Sequence, residues 1–315
     1  MKRAAIDVFY SDGYAAPIGP HIMPIRKFGL VAAELRNDPR ARLIEPVAAT
    51  VEDLLRVHTP EYVEAVRTGE PRALAESQKF PWSPQLFPSV LLTNGGVLAA
   101  ARSALKNGIA GALVSGFHHS NPDHGEGFCT FNGLAVAAEA LRTKVGAAGE
   151  VEGDIAVLDM DLHYGNGTAV CCRTRPWLRQ LSVYGNDYWN NEPFRDVTTR
   201  HHKDGPNHES VALPAGCDGA TLQRILADNL PRLLRPMKPA LVLYQAGADP
   251  YREDPFSPLN LDHADLLERD RTVFRFAREQ GIPIAWVLAG GYTADVSKVV
   301  RVHVNTFHAA AEVFL

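Results

Sequence analysis

Ile155-Ala156-Val157-Leu158-Asp159-Met160-Asp161-Leu162-His163 passes from an unbroken apolar run into alternating acids and an imidazole. A run that is apolar at successive positions is covered on both faces, the mark of a strand inside a parallel sheet. Working outward, strand-like runs of the same kind occupy residues 110–115, 155–160, 240–245 and 284–288, each ending at glycine or polar residues. Helical spacing covers 89–106, 132–143, 221–234 and 264–280 between and around them. Parallel neighbours need a crossover, and helices supply it. The expected fold is therefore α/β, a central parallel sheet with helices on both faces and the active site at the C-terminal strand ends.

The 315 residues, with 46% hydrophobic content and 32 Lys plus Arg against 36 Asp plus Glu, describe a folded chain rather than a disordered one. No repeat or linker divides it, so residues 1–315 are expected to form a single domain. A net charge of -4 without a basic run argues against nucleic acid or an anionic membrane as partner. Cys129, Cys171, Cys172 and Cys217 form no CxxC pair, which suits a reduced, cytoplasmic protein. The N-terminal residues hold no signal-peptide core, and no apolar stretch is long enough to span a bilayer. Residues 52–69 look helical, interrupted at Thr59-Pro60 where a second helix starts. Residues 69–88, with four prolines, and 184–214, rich in Asn, His, Asp and Pro, read as long loops that could wall a site.

Ligands of open parallel sheets bind beyond the carboxyl ends of the strands, and there the sequence is rich in reactive side chains. The first run leads into Gly116-Phe117-His118-His119, the second into Asp159-Met160-Asp161-Leu162-His163, the third into Gly247-Ala248-Asp249, the fourth into Gly290-Gly291-Tyr292. If the second run stays extended, Asp159, Asp161 and His163 share one side. Asp161, His163 and Asp249 would give a divalent ion three ligands and leave a position for water, as catalytic sites do. Taken alone, Asp-x-Asp-x-His can equally be a turn with aspartate caps; the second strand end carrying Asp249 favours the metal. His118 and His119 could act as base and acid, with Asp159 fixing a tautomer. The pair His201-His202, between Arg200 and Lys203, is assigned to a solvated loop. Tyr292 could donate a hydrogen bond to a carbonyl oxygen as charge develops. The chemistry implied is metal-assisted amide hydrolysis. Gly165-Asn166-Gly167 lacks the third glycine of a dinucleotide fingerprint, and neither a GxxxxGK[ST] loop nor GxSxG occurs. The cysteines read as buried packing.

These residues resemble the zinc-dependent histone deacetylase superfamily from about Tyr10 to Tyr292, with the motifs in the family's order. The likeness is carried by Leu55-Arg56-Val57-His58-Thr59-Pro60-Glu61-Tyr62-Val63, Gly116-Phe117-His118-His119, Gly125-Glu126-Gly127-Phe128-Cys129 leading to Asn132, Asp159 through Gly167, and Ala246-Gly247-Ala248-Asp249 with Gly290-Gly291-Tyr292. His21-Ile22-Met23-Pro24-Ile25-Arg26-Lys27-Phe28 and Phe80-Pro81-Trp82-Ser83-Pro84 look most like class IV and its bacterial relatives. The resemblance implies the arginase-deacetylase fold, zinc on Asp161, His163 and Asp249, proton transfer by His118 and His119, and Tyr292 polarising the scissile carbonyl. It also implies a structural potassium ion near Asp159, with main-chain oxygens of Asp161, His163, Ser182 and Val183. Gly127, Phe128, Gly290 and Gly291 would line the acyl-lysine tunnel, Gly290 letting the chain pass close to substrate. Asn166 stands where some branches carry an Asp that supports the second histidine. Tyr164 stands where many members have His, and Asp254-Pro255-Phe256-Ser257 departs from the commoner Asp-Pro-Leu-Gly.

The expected function is hydrolysis of an N-acyl-lysine or related N-acyl amine, in a protein, peptide or small molecule, including long-chain acyl-lysines and acetylpolyamines. Ferrous iron is an alternative to zinc. A ureohydrolase of the same fold would show Asp-x-His-x-Asp, and Gly165 holds the last position of that pattern. A non-catalytic acyl-lysine binding module is the other alternative; the presence of His118, His119 and Tyr292 argues against it. Oligomeric state is not legible.

Overall fold

The computed structural model describes residues 4–142, 150–186 and 204–315. Its strands, in chain order, are β1 (Ile6–Phe9), β2 (Ala41–Ile44), β3 (Ile109–Ser115), β4 (Ile155–Asp159), β5 (Leu178–Tyr184), β6 (His208–Ala212), β7 (Leu241–Ala246) and β8 (Ile284–Leu288). They form one eight-stranded sheet in the order β2-β1-β3-β8-β7-β4-β5-β6, every pairing parallel. The expected α/β fold is thus observed as a single domain.

Right-handed crossovers decide which face each helix covers. Connections heading toward the β2 edge use the helices Lys27–Leu35, Gly219–Asn229 and His263–Glu279, and the last helix, Val296–Phe314, packs with this group. Connections heading toward the β6 edge use Val51–Leu55, Pro60–Thr68, Leu86–Asn107, Gly133–Arg142 and Asn166–Arg173, which pack among themselves on the other side. Between the layers lie the central strands, buried at every position of β3, β4, β7 and β8. Trp286 on β8 meets Phe274 edge-on at 5.8 Å, and Phe274 meets Tyr244 of β7 at the same distance. Each such ring contributes about 1.5–3 kcal/mol by leaving water.

Several boundaries differ from the sequence expectation. The helix expected over 221–234 ends at Asn229 and continues as a 3₁₀ turn, Leu230–Leu234, because Pro231 has no N–H for the ladder. The loop expected over 69–88 contains the helix Arg72–Ala75, and its last residues belong to the helix Leu86–Asn107, whose first turn accommodates Pro88. Within 184–214 lie the end of β5 and all of β6; residues 187–203, including His201 and His202, fall outside the described residues, as does Thr143 at the end of an expected helix. The interruption at Thr59-Pro60 is observed, with Thr59 capping the second helix through Tyr62 N.

Candidate active site

Four strands adjacent at the middle of the sheet, β3-β8-β7-β4, end on the same side. Their C-terminal ends carry His118 and His119, Tyr292, Asp249, and Asp161 with His163, in that order. Strand order therefore brings together residues spread from 118 to 292 in the chain.

The path after β4 is not the extended one expected. The strand ends at Asp159, and the chain folds into successive aspartate turns: Asp161 N donates to Asp159 Oδ1 at 3.1 Å, and His163 N to Asp161 Oδ1 at 2.9 Å. A carboxylate that accepts the amide two residues on bends the backbone locally. The capped-turn reading holds and leaves room for the metal reading, because the same carboxylates face His163. His163 Nδ1 lies 3.2 Å from Asp161 Oδ1 and 3.1 Å from Asp249 Oδ2. One ligand atom from each of Asp161, His163 and Asp249 lies within 4.8 Å of the others, all buried. Burial pulls the His163 imidazole down, but hydrogen bonds and charge from Asp161 and Asp249 outweigh it and carry it to about 10. Two buried carboxylates facing one imidazole demand positive charge, which a protonated imidazole or a divalent ion displacing its proton would supply. The donor set fits zinc and admits ferrous iron.

Gly290 closes this group from above: its N donates to Asp161 Oδ2 at 2.8 Å, and a Cβ there would sit 1.9 Å from Asp249 Oδ2. The close approach that Gly290 permits is to the two carboxylates. Gly291, with φ 143°, turns the chain toward Tyr292. Tyr292 N donates to Asp254 Oδ2 at 2.7 Å, and Phe256 N to Asp254 Oδ1 at 3.1 Å, so one carboxylate orients both segments. Burial, with the charge of Asp249, pushes Asp254 up to about 7. Burial and the charges of Asp249 and Asp161 push the Tyr292 phenol well above its ordinary value, which keeps it a hydrogen-bond donor.

The two histidines, ring centroids 3.9 Å apart, have unlike partners. His118 Nδ1 lies 2.7 Å from Asp159 Oδ2, and His119 Nδ1 lies 2.6 Å from Asn166 Oδ1. Burial lowers His118, but the charges of Asp159 and Asp161 raise it past its ordinary value. Burial, reinforced by His118 and His163, holds His119 well below. The pair thus divides into a more basic histidine, His118, and a less basic one, His119.

Phe128 stacks on Phe80 with ring centroids 5.8 Å apart, meets His21 edge-on at 4.7 Å and lies 6.3 Å from Tyr292. Phe256 approaches Tyr292 at 5.3 Å and His163 at 6.3 Å. Register pairs Asp159 with Ser182, and Val183 follows on β5, so the residues assigned to a potassium site lie on neighbouring strands.

Over residues 21–307 the chain matches the histone deacetylase domain. The chain belongs to the histone deacetylase domain family. It is 30% identical to an uncharacterized protein of Picosynechococcus over 98% of this chain and 99% of that one. It is 28% identical to histone deacetylase 2 of Arabidopsis thaliana, covering 95% of this chain and 78% of the plant protein. The crystal structure of the HDA15 HD domain superposes with a TM-score of 0.80 at 20% identity, over 98% of this chain and 90% of that one. Fold and family agree, and the protein is a histone deacetylase-like hydrolase.

Three residues around this histone deacetylase centre were not singled out as site residues from sequence. Phe256 stands where the segment departs from the family pattern, and that departure was the available signal; Asp254 keeps the family residue and gave none. Lys27 is fully buried; its Nζ donates to Ala289 O at 2.5 Å and lies 5.7 Å from the Tyr292 ring centroid. Burial brings it down to about 8, against the upward pull of Asp249, Asp161 and Asp254. A lone lysine at helical spacing carries no sign of such a position. Cys129, near the site, donates to Gly127 O at 3.4 Å, and burial raises its thiol far above reactive values.

Proposed function

We propose that the protein hydrolyses the amide bond of an N-acyl-lysine or related N-acyl amine, with a divalent ion, zinc or ferrous iron, on Asp161, His163 and Asp249. The observation that carries this reading is a buried carboxylate-imidazole-carboxylate group beside two histidines of opposite protonation preference. When bound, the ion would polarise the amide carbonyl and acidify a water. His119, held neutral, accepts the water's proton as its oxygen attacks the carbonyl carbon. Tyr292 donates a hydrogen bond to the carbonyl oxygen as it becomes negative. The C–N bond then breaks, the histidine pair delivers a proton to the departing nitrogen, and carboxylate and free amine result. His118, hydrogen-bonded to Asp159, is the more basic of the pair and is the one placed to give up a proton at that step. A structural potassium ion at Asp159, Ser182 and Val183 belongs to the same proposal, as does the class IV likeness.

A second reading concerns chain length. An apolar cavity of about 30 Å³ is walled by Met23, Ile25, Phe28, Phe80, Phe117 and Phe128 among others. Phe128 also belongs to the ring cluster at Tyr292, and Phe117 precedes the histidine pair. The apolar lining supports an acyl group slightly longer than acetyl. The test is release of free acid from a lysine peptide carrying acyl chains of increasing length. Turnover with a preference for chains beyond acetyl is expected; preference for acetyl would remove the second reading. Tight binding of every peptide without release would instead mark a binding module and overturn the first.

A further inference from the structure

The partner of His119 leaves one degree of freedom open. Asn166 Oδ1 lies 2.6 Å from His119 Nδ1. An amide oxygen only accepts, so this contact places the imidazole hydrogen on Nδ1 and makes Nε2 the atom that takes a proton. Turned over, the same amide would donate to Nδ1 and move the hydrogen to Nε2, abolishing the base. His118 faces no such choice, because either oxygen of Asp159 accepts.

What fixes the amide is Glu126. Asn166 Nδ2 donates to Glu126 Oε2 at 2.5 Å, and an ionised carboxylate has no hydrogen to offer an amide oxygen. Only one orientation of Asn166 satisfies both neighbours. Glu126 is itself held in place. Its Oε1 lies 3.1 Å from His124 Nε2, and His124 Nδ1 lies 2.7 Å from Asp123 Oδ1. Cys129 N donates to Glu126 O at 2.7 Å, closing a tight turn whose central residues, Gly127 and Phe128, have φ of 49° and 65°. These are the φ signs of a type I′ turn, which a side chain such as phenylalanine adopts only when its surroundings hold it there. The Glu126 side chain is 13% exposed, so the line His119, Asn166, Glu126, His124 runs from the buried centre toward the surface.

We infer that Glu126 is a positioning residue: through the Asn166 amide it sets the His119 tautomer whose Nε2 accepts the proton of the attacking water. The kinetic consequence rests on the proposed hydrolysis; the tautomer itself does not. The arrangement carries an unusual sign. Asn166→Asp offers His119 two accepting oxygens but sets a second carboxylate against Glu126, so that variant is impaired. Glu126→Ala is impaired because the amide is free to turn. Together the two changes restore function, since aspartate needs no orienting neighbour.

The test uses zinc-loaded protein labelled with ¹⁵N at histidine. Long-range proton-nitrogen spectra of the wild type are expected to show His119 protonated at Nδ1 alone; Glu126→Ala loses that pattern, and Glu126→Ala with Asn166→Asp regains it. In turnover, Glu126→Ala lowers kcat by about tenfold or more with KM little changed, and the double variant recovers most of it. A Glu126→Ala protein with wild-type spectrum and kcat overturns the inference, as does a double variant no better than Glu126→Ala. Should Glu126→Ala fail to fold, Asn166→Asp alone decides: wild-type kcat there contradicts the clash with Glu126. If the wild type shows no turnover at all, the hydrolytic reading falls, and the His119 spectrum still tests this one.

Discussion

Tyr292 and Gly290 are the residues whose removal separates chemistry from architecture. Tyr292 has its backbone N–H on Asp254 and its ring among Phe128, Phe256 and His163, so its position does not depend on its hydroxyl. Tyr292→Phe is expected to lower kcat by about 10²- to 10³-fold with KM little changed, the effect of removing one oxyanion donor; steady-state kinetics on an acyl-lysine peptide checks it. Gly290→Ala acts differently, because its Cβ would lie 1.9 Å from Asp249 Oδ2 and 2.8 Å from Asp161 Oδ2. Both carboxylates must move, and the variant should fold yet retain less than stoichiometric metal by elemental analysis. At this scale the site was largely legible. Asp161, His163, Asp249, His118, His119 and Tyr292 announce themselves because titratable residues crowd the ends of apolar runs. Lys27 and Asp254 did not, because their roles consist of which backbone groups they meet, Ala289 O and Tyr292 N, and no spacing encodes that.

Among the elements, the helix Gly133–Arg142 begins on a device that ties pH to stability. Asn132 caps it through Ala135 N, and the Asn132 N–H donates to His58 Nε2 at 3.0 Å while His58 Nδ1 contacts Asn121 O at 3.1 Å. That pairing requires neutral His58, and burial pushes its imidazole down to about 3 from 6.5. Above pH 6.5 the folded and unfolded chains bind the same number of protons at this residue. As pH falls from 6.5 toward 3 the unfolded chain takes a proton that the folded one refuses, so stability drops by up to about 1.4 kcal/mol per pH unit. His58→Gln, whose amide offers both a donating nitrogen and an accepting oxygen and does not titrate, should make urea unfolding free energies between pH 7 and pH 5 less steep by that share; an unchanged slope would contradict it. The strands that sequence revealed, β3, β4, β7 and β8, are apolar on both faces because they are central. The four it missed lie outward. In β1, Asp7 interrupts the pattern, since its buried carboxylate binds Arg42 Nε at 2.7 Å and Ser103 Oγ at 2.7 Å. In β2 no position is fully buried, and in β6 the buried positions are themselves polar, His208 and Ser210, so neither shows an apolar run.

For the molecule as a whole, one sheet order gathers four strand ends, and on the proposed reading the apolar cavity beside them would limit the acyl chain. Each methylene buried there adds about 0.8 kcal/mol, so kcat/KM is expected to rise roughly fourfold per carbon until the cavity is filled. Phe128→Ala, which opens that wall, should flatten the series. The fold was legible because alternating strands and helices leave few topologies, whereas the size of the apolar cavity follows from the distances between rings contributed by distant segments. The central claim is that hydrolysis depends on an ion held by Asp161, His163 and Asp249. The most direct measurement is a titration of metal-stripped protein with zinc, reading bound metal and acid released from an acyl-lysine peptide together. Activity should appear in proportion to bound zinc and saturate at one equivalent, with Asp249→Ala showing neither. Stoichiometric zinc without release, or release that survives metal removal, would contradict the account.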